Sequence, residues 1–296
     1  MLNQRPPKRG EMRGASNHKK RRAASPDSSF KLQKILADRG LGSRREMEEW
    51  ITAGRVTVNG ERAEIGLRVG ANDRIAVDKR PLRIRERRPR VILYHKPQGE
   101  IVSRDDPEGR SSVFDHLPPI RNAKWIAVGR LDFMSSGLLI LTTDGELANC
   151  LMHRRFAIER EYAVRIRGRL TLEQMKKLAR GLELADGRGK FESIEEAGGE
   201  GANRWYRIVT NEGRNRFVRR MFEVVGLEVN RLIRVRFGTI GLPPRLKRGN
   251  WIELEAHDVL QLLGQAGIIP TRTHPSAPAE RMERGKQPQR HPRRSS

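Results

Sequence analysis

The sequence predicts an α+β fold in two parts: a small N-terminal module of two short helices and a hairpin sheet, then a larger domain built on a mixed, largely antiparallel sheet flanked by helices. Three observations carry this. Strand-like runs outnumber helical ones after residue 90 and do not alternate regularly with them. Helix, helix and hairpin signals are packed into about fifty residues before that point. No phosphate-loop or dinucleotide glycine motif is present, which disfavours a doubly wound nucleotide fold.

The elements follow in order. Residues 1–30 are rich in Pro, Arg, Lys and Ser and read as a disordered basic arm. In "KLQKILADRGLGSRREMEEWITAGRVTVNG", Leu32, Ile35 and Leu36 recur at helical spacing and Gly40 ends the run. Ser43 and Glu46 make a capping box for a second helix with Met47, Trp50 and Ile51 inward and Gly54 as its stop. Val56 and Val58 alternate into an Asn59-Gly60 turn, a hairpin signal, and "DRIAVD" adds a strand. These define a module over 31–78. Residues 79–90 carry seven basic residues in twelve and read as a linker.

The second domain is placed at 91–265. "VILYHK" is a strand ended by the turn Lys96-Pro97-Gln98-Gly99, "KWIAVGRL" a second and "GLLILTTDG" a third. "GELANCLMHRR" reads as a helix with Leu147, Cys150 and Leu151 on one side, and "REYAVRIRG" alternates as a strand. "TLEQMKKLARGLEL" is an amphipathic helix capped by Thr171 and stopped by Gly181. "GKFESIEEA" and "RWYRIVTNEG" are strands around a Gly-rich loop. "RFVRRMFEVVG" is a helix with a stripe of Val218, Met221, Phe222 and Val225. "EVNRLIRVRFGTIGL" and "NWIELEAHDVLQLLG" close the domain, and 266–296 return to a basic, disordered tail.

Charge narrows the partner. The chain carries 60 Lys and Arg against 36 Asp and Glu, a net +24. The two tails hold +11 of this, so the folded part is itself basic and suits a polyanion. One cysteine, Cys150, excludes an internal disulfide, and the seven histidines have no zinc spacing, so no metal site is expected. There is no run long enough to span a membrane, and "MLNQRPPKRGEMRG" lacks the apolar core of a secretory signal. A cytoplasmic location is expected.

Within "GRLDFMSSGLLILTTDG", Asp132 stands behind Arg130 and before small residues that permit a tight backbone path. From the residues alone two roles are open: Asp132 caps the turn, or it is a carboxylate held for chemistry.

Two resemblances bear on the choice. "LQKILADRGLGSRREMEEWITAGRVTVNGE" resembles the αL-type RNA-binding domain first named from a ribosomal small-subunit protein. That likeness implies phosphate contacts at Lys31, Lys34, Arg44, Arg45 and Arg55, each of which is otherwise an ordinary surface charge. "GRLDFMSSGLLILTTDG", with "YHKPQGEIVS" before it and "REYAV", "EGRNRFVRRMFEVVG" and "RLIRVRFG" after it, is similar to the RsuA/RluB branch of RNA pseudouridine synthases. The likeness spans residues 31 to about 255 in order. It implies a catalytic Asp132, an Arg219 beside it to keep it ionised, a Tyr162 to stack on a flipped uracil, and an Arg130 that fills the vacated place or holds phosphate. It implies no cofactor, because the reaction is an isomerisation. The implied partner is ribosomal RNA, the 23S RNA or a pre-50S particle, acted on by a monomer. A synthase for small-subunit RNA and a non-catalytic assembly factor are the alternatives; a DNA-binding regulator would leave the second domain unexplained.

The sequence departs from the family at Met134-Ser135, where Asn-Thr is usual, and at Phe217, where Glu or Gln is usual. The first puts the loop that holds Asp132 in question, the second its surrounding hydrogen bonds.

Overall fold

A computed structural model describes residues 29–70, 72–82, 89–121 and 123–265. The arms expected at 1–30 and 266–296 lie outside these, apart from Ser29 and Phe30. The chain divides into two compact units between residues 86 and 87.

The first unit runs β1 (Phe30–Lys31), α1 (Leu32–Asp38), α2 (Arg44–Thr52), β2 (Val56–Val58), β3 (Glu61–Arg62), β4 (Arg68–Val69), β5 (Ile75–Val77) and β6 (Arg80–Pro81). The capping box at α2 is formed: the Glu46 N–H donates to Ser43 Oγ at 3.1 Å and the Ser43 N–H to Glu46 Oε2 at 3.1 Å. Asn59 and Gly60 both take positive φ, 55° and 88°, which suits the tight hairpin between β2 and β3. Leu32, Leu36, Met47, Ile51, Val56 and Ile75 form one buried cluster, with Trp50 half-buried at its edge. The packed structure extends past residue 78. β6 pairs with β5, and Leu82 packs on the cluster and donates its N–H to Ile75 O at 2.8 Å. Residues 79–82 therefore belong to the module rather than to a linker; residues 83–88 lie outside the described set.

The second unit runs β7 (Val91–Lys96), β8 (Ile126–Ala127), β9 (Ser136–Thr142), α3 (Gly145–Met152), β10 (Arg160–Arg167), α4 (Leu172–Arg180), β11 (Ser193–Glu196), β12 (Asn203–Thr210), α5 (Phe217–Val224), β13 (Val229–Phe237), β14 (Ile240–Gly241), β15 (Trp251–Glu253) and α6 (Ala256–Gln265). One sheet takes them all in the order β11-β12-β10-β13-β9-β7-β15, with β14 on β13 and β8 on β9. Every pair is antiparallel except β13 with β9. Side chains alternate between the faces. Ile92, Tyr94, Leu139, Val164, Ile166, Tyr206 and Ile208 bury on one face with Leu178 of α4 and Val218, Met221 and Phe222 of α5. Val91, Leu93, Leu138 and Ile140 bury on the other with Leu147 and Leu151 of α3 and Val259 and Leu262 of α6.

One strand is shorter than its sequence suggests. "KWIAVGRL" pairs only at Ile126 and Ala127; after Val128 the chain leaves the sheet at Gly129, whose φ is +79°. Asp132 thus lies in an irregular segment that ends where β9 begins.

Gly137, in β9, explains the small residues after Asp132. Its φ is +106°, and a Cβ there would sit 2.3 Å from Arg234 O and 2.6 Å from Arg234 N. Only glycine lets β9 and β13 run this close, at the register Gly137↔Arg234.

Candidate active site

Asp132 lines a cleft of about 470 Å³ in the second unit, together with Arg130, Ser135, Arg160, Tyr162, Arg214, Arg216, Val218 and Arg234. Its carboxylate accepts no hydrogen bond among the described residues and is half-buried. Its backbone, by contrast, is tied down. Asp132 O accepts from Ser135 N–H at 3.0 Å and from Lys96 Nζ at 3.2 Å. Phe133 O accepts from Gly99 N–H at 3.0 Å. Met134 O accepts from Gln98 Nε2 at 3.1 Å and Arg219 Nη2 at 3.0 Å, and Ser135 O from Lys96 Nζ at 2.9 Å. Four consecutive carbonyls are held, each of them by the turn that starts at Lys96. This is a carboxylate left open on a fixed frame, the arrangement that a reacting group needs and a turn-capping group does not.

Lys96 is the residue that sequence reasoning passed over. It closes the apolar run of β7, is fully buried, and donates to Pro97 O at 2.9 Å as well as to Asp132 O and Ser135 O. Burial pushes its ammonium down to about 8, against the pull of the Glu100 and Asp132 carboxylates. Glu100 is itself buried; it accepts the Tyr94 hydroxyl at 2.7 Å and sits 3.4 Å from His116 Nε2. Burial, and then the hydrogen bond to Glu100, push the Tyr94 phenol up. The available signal was a lysine ending an otherwise apolar strand.

Arg219 is where the expectation needs correcting. It is buried on α5, but its guanidinium donates to Val229 O at 2.7 Å and Met134 O at 3.0 Å, and makes no hydrogen bond or ion pair with the Asp132 carboxylate. Burial lowers its pKa, while Asp132 raises it through space. Arg219 positions the turn; it does not pair with the acid directly. Its two hydrogen bonds go to main-chain carbonyls, one in β13 and one in the turn that follows the acid.

Tyr162 is buried in β10, opposite Arg234 of β13, and both line the cleft. A bulge on β13 shifts the register from Glu161↔Arg236 to Tyr162↔Arg234. Arg234 is 2% exposed; its Nε donates to Leu138 O at 2.8 Å, and burial lowers its pKa against the pull of Tyr162. The sequence signal was an arginine at an inward position of an alternating strand. Arg160, at the start of β10, donates to Ile158 O at 2.8 Å and Asn211 O at 2.9 Å. Arg214 ties the cleft rim to the 186–188 loop through Asp186 Oδ1 at 3.1 Å and Gly187 O at 2.8 Å. Arg130 is exposed at the mouth. The cleft is therefore cationic around one free carboxylate.

The two departures resolve differently. Phe217 is buried edge-on to Phe191, ring centroids 5.8 Å apart, in the space left by Gly189, where a Cβ would lie 2.4 Å from the ring. Packing replaces polar contacts there. Met134 leaves the loop firm, because its backbone, not its side chain, is what is held.

In the first unit Lys31, Arg44, Arg45 and Arg55 are exposed, and Lys34 is half-buried with its ammonium 4.6 Å from the Phe30 ring. Arg44 and Arg45 open α2, where the helix dipole disfavours cations, so they do not serve helix stability. Arg55 is committed within the module: it pairs with Asp78 at 2.6 Å and lies 3.9 Å from the Trp50 ring.

An α+β sheet enzyme with one open aspartate in a cationic cleft, preceded by a small helical module, matches a known class. The family model described as RNA pseudouridylate synthase matches residues 90–224, and that of the S4 domain matches residues 30–75. The chain belongs to the RNA pseudouridylate synthase family. It is 50% identical over 247 residues to the "Ribosomal large subunit pseudouridine synthase B" of Salmonella typhimurium, covering 82% of this chain and 85% of that one. The protein of that name from Escherichia coli K12 is 53% identical over 232 residues, 77% of this chain and 80% of that one. The one from Pseudomonas aeruginosa is 50% identical over 244 residues, 81% of this chain, which spans 63% of that relative's length. A solved structure described as a pseudouridylate synthase shares the fold, with a TM-score of 0.55 at 24% identity, over 79% of this chain and 99% of that one. Among the described residues no helix is long and apolar enough to cross a membrane.

Proposed function

We propose that this chain isomerises a uridine of large-subunit (23S) ribosomal RNA to pseudouridine, as a cytoplasmic monomer, with Asp132 as its catalytic residue. The observation that carries this is the Asp132 carboxylate itself: unpartnered, on a turn whose every carbonyl is held, facing a cleft that also presents Tyr162 and Arg234.

The chemistry uses those groups in turn. The target base leaves its stack and enters the cleft, at a cost of a few kcal/mol. Tyr162 offers a ring face for the extruded uracil, and Arg130 and the other cleft arginines neutralise flanking phosphates. The ionised Asp132 acts on the ribose, and the C1′–N1 bond breaks. The uracil turns, C1′–C5 forms, and the C5 proton is lost to solvent while N1 gains one. No atom is added overall, so the residues need no redox partner or energy source.

Residues 31–78, with the strand that follows them, act as the RNA-binding module, through Lys31, Arg44 and Arg45 above all. The identity of the large-subunit relatives supports the choice of RNA, and the open acid supports catalysis over a purely binding role.

Tritium release from ribosomal RNA labelled at uracil C5 tests the reading. Release by the wild type and none by Asp132→Asn is expected; release by both, or by neither, overturns it.

A further inference from the structure

Phe133 and Met134 are consecutive, large and apolar, yet 39% and 51% exposed. A single exposed apolar side chain is ordinary. Two in succession at the tip of an otherwise immobilised turn are not. The carbonyls of both residues are bound, by Gly99, Gln98 and Arg219, and those on either side are bound by Lys96. The tip therefore cannot fold back to bury itself. Asp132 before it and Ser135 after it line the cleft; Phe133 and Met134 do not. They stand outside the rim, next to the acid. On one flank the Arg110 guanidinium lies 5.9 Å from the Phe133 ring, held there by Asp106 at 2.6 Å and Glu108 at 3.1 Å.

We propose that Phe133 and Met134 form a wedge that enters the RNA base stack beside the target uridine, Phe133 stacking on a neighbouring base. This rests on the synthase reading above. Extruding a base opens a gap in the stack, and an apolar side chain fills such a gap better than water. Being held already, the tip has little backbone freedom to lose on insertion. Arg130 stays at the cleft mouth with the extruded nucleotide. The wedge sets specificity through how readily the target and its neighbours unstack, so a stem-embedded uridine depends on it and an unstacked one does not.

The test uses the full chain and its Phe133→Ala/Met134→Ala variant, whose turn keeps every backbone hydrogen bond. Two RNA probes share one flanking sequence: in one the target uridine is stacked in a stem, in the other it lies opposite an abasic site. The variant loses about tenfold or more in kcat/KM on the stem and less than about twofold on the other, in proportion to the unstacking it no longer assists. Independently of chemistry, a 2-aminopurine placed beside the target brightens on binding the wild type and Asp132→Asn, and stays dim with the double variant. Equal loss on both probes, no loss on either, or brightening by the double variant overturns the wedge. A wild type that makes no pseudouridine on either probe overturns the synthase reading, while the 2-aminopurine signal still decides the wedge.

Discussion

Lys96→Met separates what holds the active turn from what holds the fold. The substitution keeps the length of the side chain and removes the ammonium that donates to Pro97 O, Asp132 O and Ser135 O. Asp132 O retains the Ser135 N–H; the other two carbonyls lose their donor. A buried acceptor left unpaired costs about 1–3 kcal/mol, so the pair costs about 2–6. Against this, the native structure depresses the lysine from 10.5 to about 8, equivalent to about 3 kcal/mol of penalty on the charged form that the variant no longer bears. The two nearly cancel, and the net loss of stability is within about 3 kcal/mol. Catalysis has no such compensation. The turn loses the cation that holds its two ends, and a displacement of about 1 Å at a reacting group costs about 100-fold in rate. A urea titration and the tritium-release kcat/KM, measured on the same preparation, are expected to show a modest shift in midpoint and a fall of about 100-fold or more. A folded variant within about threefold of wild-type kcat/KM refutes the clamp.

The same lysine gives a pH signature. Its folded pKa is below its unfolded one, so between about pH 8 and 10.5 the unfolded chain holds more protons, and this group's contribution to stability rises with pH. Activity moves the other way, because a neutral amine donates two N–H groups instead of three: kcat/KM falls above about pH 8 with no loss of circular dichroism, and Lys96→Met lacks that limb. Gly137→Ala forces a side chain into Arg234 and into a left-handed φ, and is expected to lower the unfolding free energy by about 3 kcal/mol or more in urea titration. Arg44→Gln and Arg45→Gln each reduce the slope of log Kd against log salt for RNA by about 0.7–0.9, whereas Arg55→Gln, whose charge is already spent on Asp78, leaves the slope unchanged.

Local chemistry determined much of this protein from the sequence alone. The Ser43–Glu46 box, the Asn59-Gly60 hairpin and the Thr171 cap need only residues three or four apart, and each forms as written. The alternation of Tyr162, Val164 and Ile166 places three side chains on one face whatever the partner strand. The residues around Asp132 single it out but leave it either a turn cap or a reacting group, and the likeness to the synthase family chose between the two. Tertiary structure decided the rest, where the partners are distant in sequence. Lys96 reaches a turn 36 to 39 residues away, and Arg219 reaches Met134 across 85. Periodicity carries no information about which carbonyl will lack a donor once β7, β9 and α5 have met. Arg234 faces Tyr162 because a bulge on β13 sets the register, and Gly137 is obligatory because two parallel backbones nearly touch. The acid and Arg219 were legible through the family motif; Lys96, and the carbonyls that the two cations hold, were not, because what they satisfy is created only by folding.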